Sequence, residues 1–143
     1  MPVAVPTPTD YERSLPLFDY DEHAPLGIDE SSASERDGVT VHDISYSGPK
    51  GTRVSAFLVV PDGPGPFAGV IVQHGMPGYR NDHLEYGMVL ARTGAVVLLI
   101  DAPFARRMRA DSAAQPFTFT EQDRDEQVQL ILDLRRGVDL LAS

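Results

Sequence analysis

The residues best suited to chemistry form one short turn, Gln73-His74-Gly75-Met76-Pro77-Gly78. The turn follows a near-continuous apolar run, Phe67 to Gln73, which is typical of a strand buried on both faces of a sheet. Open α/β sheets bind their ligands at the carboxyl ends of such strands. A kinked, glycine-containing turn at this point lets backbone N–H groups face outward and stabilise an oxygen that becomes negative during acyl transfer. The turn therefore predicts an oxyanion site built from main-chain donors.

Three arginines, Arg106, Arg107 and Arg109, form a basic cluster in a stretch without a clear helical or strand pattern. A guanidinium matches the geometry of a carboxylate, so the cluster is a candidate for binding an anionic substrate group at the mouth of a pocket. The alternative is a solvated loop whose arginines pair with Asp111 or with the acidic amino-terminal segment. Arg106 and Arg107 are the candidate substrate-binding residues.

A second apolar run, Ala95 to Ile100, is followed by Asp101. Together with Asp82 or His83 this carboxylate could suggest a metal site. Two carboxylates and histidines at irregular spacing are a poor ligand set, so we predict neither a metal nor a cofactor. The favoured interpretation is that Asp101 accepts hydrogen bonds from nearby loop N–H groups.

The elements around the turn indicate an α/β fold. Two roughly alternating stretches, 39–46 and 52–60, flank a turn containing Gly and Pro and predict an antiparallel hairpin. Residues 81–92 place apolar side chains near one helical face between the two buried strands, and Thr93-Gly94 supplies a stop. Strand, helix and strand at this spacing predict a parallel βαβ crossover.

The end of the chain predicts a loop and then a helix. A long irregular loop is expected from Ala102 to about Thr118, and the helix opens at Thr120 with Asp123 in a capping-box relation. The apolar side chains that keep helical phase are Ile131, Leu134, Val138 and Leu141, while Asp125, Gln129 and Arg136 fall elsewhere on the surface. Phe117 and Phe119 precede the helix, and either line an acyl pocket or pack in the core.

Composition divides the chain of 143 residues in two. Residues 1–38 form an acidic, proline-rich leader with nine acids and two bases, whereas residues 39–143 carry twelve acids and ten bases. We predict that the leader is an extended arm, which packs Leu15, Leu17, Phe18 and Tyr20 onto the domain 39–143; partial disorder is the equal alternative. The net charge of −9 disfavours nucleic acid as a partner.

Several classes of protein are disfavoured by what the sequence lacks. Without cysteine there is no disulfide, no thiolate zinc site and no cysteine nucleophile. The amino terminus does not have the basic start and apolar run of a secretory signal, and no apolar stretch is long enough to span a bilayer. A cytoplasmic protein without a membrane partner is therefore the default expectation.

In their order, these features resemble the front half of the α/β-hydrolases, especially the dienelactone hydrolase and acetyl-xylan-esterase-like branch. The matching residues are Gly65-Pro66-Phe67, Val70, Val72, His74-Gly75, Ile100-Asp101-Ala102-Pro103 and Asp133 to Leu141. The resemblance implies an incomplete α/β-hydrolase fold, with an amino-terminal antiparallel hairpin and parallel strands with flanking helices, which ends before the nucleophile strand. It also implies esterase-like hydrolysis of carboxylic esters or related acyl compounds by a serine.

The resemblance assigns roles within the turn. Met76 would give one backbone N–H to the oxyanion hole, and Gly75 and His74 would shape the loop, which we favour over His74 as a catalytic base. No serine has glycine two positions before and after it, so the G-x-S-x-G nucleophile turn is missing. The catalytic triad would lie beyond Ser143, and the chain is expected to be inactive alone on a small-molecule acyl substrate.

Two other functions stay open. The chain is alternatively a non-catalytic α/β binding or scaffolding module. A nucleotide-binding fold is disfavoured because the turn matches neither G-x-G-x-x-G nor G-x-x-x-x-G-K-[ST]. In a severed hydrolase sheet the strand 67–73 would lie at an edge without its neighbour, which predicts self-association through that edge.

Overall fold

A mixed five-stranded sheet organises the computed structural model, which describes residues 3–5 and 7–143. Its strands are Asp29–Arg36 (β1), Val39–Ser47 (β2), Arg53–Pro61 (β3), Ala68–Gln73 (β4) and Ala95–Ile100 (β5). Their order across the sheet is β1-β2-β3-β5-β4. The four α-helices of the described residues are Pro8–Ser14 (α1), Leu84–Arg92 (α2), Pro103–Ala110 (α3) and Glu121–Ala142 (α4). Short 3-10 turns lie at Leu15–Phe18, Pro49–Gly51 and Arg80–His83.

The predicted hairpin is confirmed by β2 and β3. They pair antiparallel from Val39 opposite Pro61 to Ser47 opposite Arg53. Burial alternates within each half of β2 but changes face between them, because Val39 and Val41 lie in one core cluster and Ile44 and Tyr46 in another. The connecting turn contains Lys50 and Gly51, both at positive φ, which reverses the chain tightly.

The predicted βαβ crossover is confirmed by β4, α2 and β5. The two strands are parallel neighbours, from Ala68 opposite Ala95 to Gln73 opposite Ile100. Helix α2 packs closely on β5 because Gly87 has no side chain; a Cβ there would lie 3.1 Å from Leu99 Cδ1. The carboxyl ends of β4 and β5 therefore meet at one edge of the sheet, where the candidate turn begins.

Strand β1 was not predicted. It pairs antiparallel with β2 although every one of its residues is exposed. Backbone hydrogen bonds and polar contacts across the strands, such as His42 Nδ1 to Glu30 Oε2 at 2.8 Å, hold it in place. A strand stabilised in this way buries no apolar face, so hydrophobic alternation could not reveal it.

The rest of the leader contacts α4 mainly through polar groups. The Tyr20 hydroxyl donates to Asp139 at 2.9 Å, and the Arg135 guanidinium lies over the Tyr20 ring while it donates to the Phe18 carbonyl. Leu15 and Leu17, in contrast, are exposed. The predicted packing of the leader on the domain thus holds for Phe18 and Tyr20 and is wrong for the two leucines.

The predicted loop from Ala102 to Thr118 is wrong for its first half, which is helix α3. Its sequence starts with Pro103, whose fixed φ suits the first helical turn. Phe104 and Ala105 are buried on one side, and the arginines occupy the other positions. Because three of the eight residues are arginines, the short apolar face gives no recognisable helical pattern in the sequence.

The predicted apolar face of α4 is confirmed for Leu134 and Leu141, which pack half-buried against the core, and wrong for Ile131 and Val138; Arg136, expected on the surface, is buried. Ile131 and Val138 are 44% and 56% exposed, whereas the buried residues of the helix are Leu132, Asp133, Arg136, Gly137 and Leu140. The helix presents this face because Tyr46 Oη donates to the Asp133 carbonyl at 2.9 Å and Gly137 allows close contact with the sheet. A Cβ on Gly137 would lie 2.8 Å from Leu98 Cδ2.

The cap of α4 is simpler than a capping box. Thr120 Oγ1 accepts the N–H of Gln122, as an N-cap side chain does. The Asp123 carboxylate does not return to the Thr120 N–H and instead accepts the N–H groups of Thr118 and Phe119. Among the described residues, no helix is long and apolar enough to cross a membrane.

The exposed side of α4 continues onto β4. Ile71, Ile131, Leu134 and Val138 line a shallow groove of about 390 Å³, which we call the α4–β4 surface. Within residues 3–5 and 7–143, β4 pairs with β5 on one side and with no strand on the other. An apolar surface beside an unpaired strand favours association.

The first prediction is that the chain self-associates through the α4–β4 surface. The double variant Ile131→Lys/Val138→Lys places two charges there and should shift the protein to monomer in light scattering over a concentration series. Val89→Lys is the matched control, because Val89 is a similarly exposed valine on α2. A wild-type protein that is monomeric at every concentration would contradict the prediction.

Candidate functional site

The imidazole of His74 joins the chain after β4 to the chain after β5. The Ala102 N–H donates to His74 Nε2 at 3.0 Å, and His74 Nδ1 lies 2.8 Å from the Gly75 carbonyl oxygen. A backbone N–H can only donate, so Nε2 is the acceptor and Nδ1 carries the proton that it donates to Gly75. The ring is 6% exposed and packs edge-on against Phe104. Both nitrogens are therefore used to hold the turn.

Gly78 allows the turn to close on itself. A Cβ at this position would lie 2.7 Å from Asp82 Oδ2 and 2.8 Å from the Gly75 carbonyl oxygen. Asp82 in turn accepts the Tyr79 N–H at 3.1 Å. The backbone from 74 to 79 is thus fixed by contacts that no larger residue at 78 permits.

Met76 lies at the tip of this turn with its N–H available. No acceptor in residues 3–5 and 7–143 takes that N–H. Its side chain is half-buried against Ala102, Phe104 and Ala105. The arrangement can present one main-chain donor to a ligand.

A cavity of about 450 Å³ opens beside Met76. Pro116 and Phe117 form one wall, and the first turns of α4 form the other. A volume of this size is typical of small-molecule sites. Met76, whose backbone N–H has no acceptor among the described residues, therefore also lines a cavity of this size.

The three arginines of the predicted basic cluster lie on α3, and each pairs with a carboxylate. Arg106 donates to Asp133 at 2.7 Å, Arg107 to Glu126 at 2.6 Å and Arg109 to Asp101 at 3.1 Å. The hydrogen bond that Arg107 donates to the Glu126 carboxylate raises the pKa of the Arg107 guanidinium. None of the three forms an ion pair with Asp111 or the leader, the partners expected for a solvated loop.

Asp101 lies fully buried at the end of β5 and accepts several hydrogen bonds. The Arg80 N–H donates to it at 2.8 Å, as predicted for a loop donor, and Ser55 Oγ donates at 2.9 Å. Asp82 and His83, its suggested metal partners, are exposed. In the described part of the chain, no three His, Cys, Asp or Glu side chains are grouped as metal ligands would be.

Arg80 is the residue of this region that sequence reasoning missed. Its guanidinium contacts both carboxylate oxygens of Asp43, at 2.9 and 3.2 Å, and the Ala56 carbonyl at 2.7 Å, and it lies over the Phe57 ring. These contacts tie the end of the turn to β2 and β3. The hydrogen-bond partners of the guanidinium, Ala56 and Asp43, lie 24 and 37 positions away in sequence, so no local spacing could indicate them.

In the described residues, no hydroxyl group that could act as a nucleophile is paired with a histidine that could act as its base. The Ser55 hydroxyl donates to Asp101, and no serine, threonine or tyrosine hydroxyl of these residues is hydrogen-bonded to a histidine. Activation of a serine requires such a contact with a base. The site therefore contains a donor and a cavity without a Ser–His pair.

Comparison with known proteins supports the fold. No protein-family model matches the sequence, and no characterised protein sequence matches it at a significant level. An acetyl xylan esterase from Paenibacillus sp. R4 superposes with a TM-score of 0.62 at 20% identity, covering 92% of this chain and 45% of that one. Acetyl xylan esterase 1 from Thermoanaerobacterium sp. JW/SL YS485 gives 0.65 at 17% identity, with 94% and 46% covered. The chain thus has the α/β fold of part of these esterases and spans slightly less than half of their length.

The second prediction concerns Gly78. Gly78→Ala should lower the free energy of unfolding by about 2 kcal/mol, because the new methyl group overlaps Asp82 and the Gly75 carbonyl. Gly75→Ala is the matched control, since a Cβ there meets nothing within 4 Å, and should change stability by less than about 0.5 kcal/mol. Urea unfolding measures both, and equal effects would contradict the tight turn.

The third prediction separates a structural role of Arg106 from substrate binding. Arg106→Met leaves the fully buried Asp133 carboxylate without its cation and should cost about 3 kcal/mol of unfolding free energy in urea. Arg124→Met breaks an exposed pair with Asp125 and should cost less than about 1 kcal/mol. A similar, small loss in both variants would show that the Arg106–Asp133 pair is not structural.

Proposed function

We propose that this chain is the amino-terminal part of an esterase-like serine hydrolase that acts on carboxylic esters or related acyl compounds. The observation that carries the proposal is the turn after β4, where the N–H of Met76 is available and the loop is held by both nitrogens of His74. The cavity beside Met76 supplies space for a substrate. The fold shared with two acetyl xylan esterases supports the same reaction class.

In the proposed reaction, the oxygen of a serine beyond Ser143 attacks the carbonyl carbon of the ester while a histidine, also beyond Ser143, takes the hydroxyl proton. The histidine later gives this proton to the alcohol, which leaves as the ester C–O bond breaks. The electron pair of the C=O bond moves onto the oxygen, and the N–H of Met76 donates a hydrogen bond to that developing oxyanion. His74 acts as a positioning residue, because its bonds to Gly75 and Ala102 fix the direction of the Met76 N–H. One donor of this kind is worth about 10²- to 10³-fold in kcat.

The proposal includes an incomplete α/β-hydrolase sheet. In it the nucleophile strand would lie beside β4, on the side where the described residues provide no neighbour. Helix α4 ends close to the start of β4, with Leu141 against Gly69. A right-handed crossover after α4 would place a further parallel strand along that open side.

The fourth prediction tests the proposed function on the chain and on a longer protein. Purified residues 1–143 should hydrolyse 4-nitrophenyl acetate no faster than buffer, because the chain has no G-x-S-x-G serine. The coding sequence after Ser143 should specify a strand that begins within about six residues of α4, with a G-x-S-x-G turn directly after that strand. A reading frame that continues without such a turn contradicts the proposal.

In the longer protein, the donor itself can be removed. Met76→Pro deletes the N–H and should lower kcat on 4-nitrophenyl acetate by about 10²-fold or more, with the fold checked by circular dichroism. Met76→Leu keeps the N–H and the apolar side chain, and should keep most of kcat. Equal kcat values for the two variants would show that this N–H does not serve the oxyanion.

A further inference from the structure

The cavity beside Met76 is lined by the ring of Phe117, on which a second exposed ring, that of Phe119, is stacked. Phe117 is 49% exposed and lines the cavity, and Phe119 is 90% exposed. The two rings stack, with centroids 5.9 Å apart and planes at 30°. Neither ring is needed to fill the core, so packing alone does not explain their position.

Phe119 is held in this exposed position by a backbone conformation that is unfavourable for its residue type. Phe119 has φ of +57°, a left-handed conformation that a bulky side chain rarely adopts. The Asp123 carboxylate maintains it by accepting the N–H of Phe119 at 2.9 Å and that of Thr118 at 2.8 Å. Hydrogen bonds from Thr118 lower the pKa of Asp123, so the carboxylate stays charged for this task. Strain of this kind is concentrated at functional sites.

The charged groups around the cavity are already paired. Glu126 accepts from Arg107 and from Gln122, Arg124 donates to Asp125, and Asp123 holds the loop. What remains for a ligand is the apolar surface of Met76, Pro116 and Phe117. The arginine of the lining, Arg124, is paired with Asp125, so an anionic ligand would find no free cation in this wall.

We infer that this cavity binds an uncharged aromatic group of an ester, which contacts Phe117 in the wall and extends over the exposed ring of Phe119 stacked on it. An aromatic ligand gains from offset or edge-on contact with the two rings beyond the area that it buries. The ester carbonyl would then lie toward Met76. This inference rests on the proposed function for the role of the ligand, but binding itself requires no hydrolysis.

The test compares methyl benzoate with benzoate, which share a ring and differ in charge. Titrated into the ¹⁵N-labelled chain, methyl benzoate should shift the amide signals of Met76, Phe117 and Phe119, and benzoate should bind at least tenfold more weakly. Phe117→Ala should weaken binding of methyl benzoate about tenfold. Tyr86→Ala is the matched control, because Tyr86 is an exposed aromatic residue on α2, and should leave binding unchanged.

A second variant gives two opposite readouts. Phe119→Gly removes a ring and also the strained conformation, so it should weaken binding several-fold while it raises Tm by about 3 °C. Equal binding of benzoate, ester-induced shifts confined to another surface, or unchanged affinity in both phenylalanine variants would overturn the inference. A reading frame without the G-x-S-x-G turn would overturn the proposed function and leave this binding result intact.

Discussion

The candidate site depends on one imidazole that bridges two strand ends. His74 accepts from Ala102 after β5 and donates to Gly75 after β4, so the turn is tied to its neighbouring strand at the carboxyl edge of the sheet. The same ring packs against Phe104 of α3, which places that helix beside the turn. The hydrogen bonds and the packing of this one side chain thus connect the turn, the end of β5 and α3.

A group of buried charges then connects this region to the rest of the fold. Asp101 and Asp133 are fully buried, and α3 contributes a guanidinium to each of them. Arg136 is buried too and donates to the Glu22 and Ala24 carbonyls of the leader. Buried ion pairs gain little net stability over apolar contacts but penalise every arrangement that separates them. In this chain they set the rotation of α4 and the position of the leader.

The features predicted well from sequence were those with a local apolar pattern. Hydrophobic alternation located β2 and β3, and the two apolar runs located β4 and β5 with α2 between them. The other elements could not be predicted from the sequence for a common physical reason. Their positions are determined by polar contacts between residues that are far apart in the sequence. Strand β1 has no apolar face, three of the eight residues of α3 are arginines paired with carboxylates, and α4 turns Asp133 and Arg136 inward instead of Ile131 and Val138. In the candidate site, His74-Gly75 was recognisable from its position after a strand, whereas Arg80 and its distant partners were not.

The two edges of the sheet are chemically different, and the difference limits how copies can add. Strand β1 contains four exposed charged residues, Asp29, Glu30, Glu35 and Arg36, and charged side chains on an edge strand disfavour the addition of a further strand. Strand β4 has no charged residue. A sheet with one receptive side can extend by a single copy related by a twofold axis, after which both outward edges are β1 and growth stops. The self-association that we predict for this chain would therefore give closed pairs rather than fibrils.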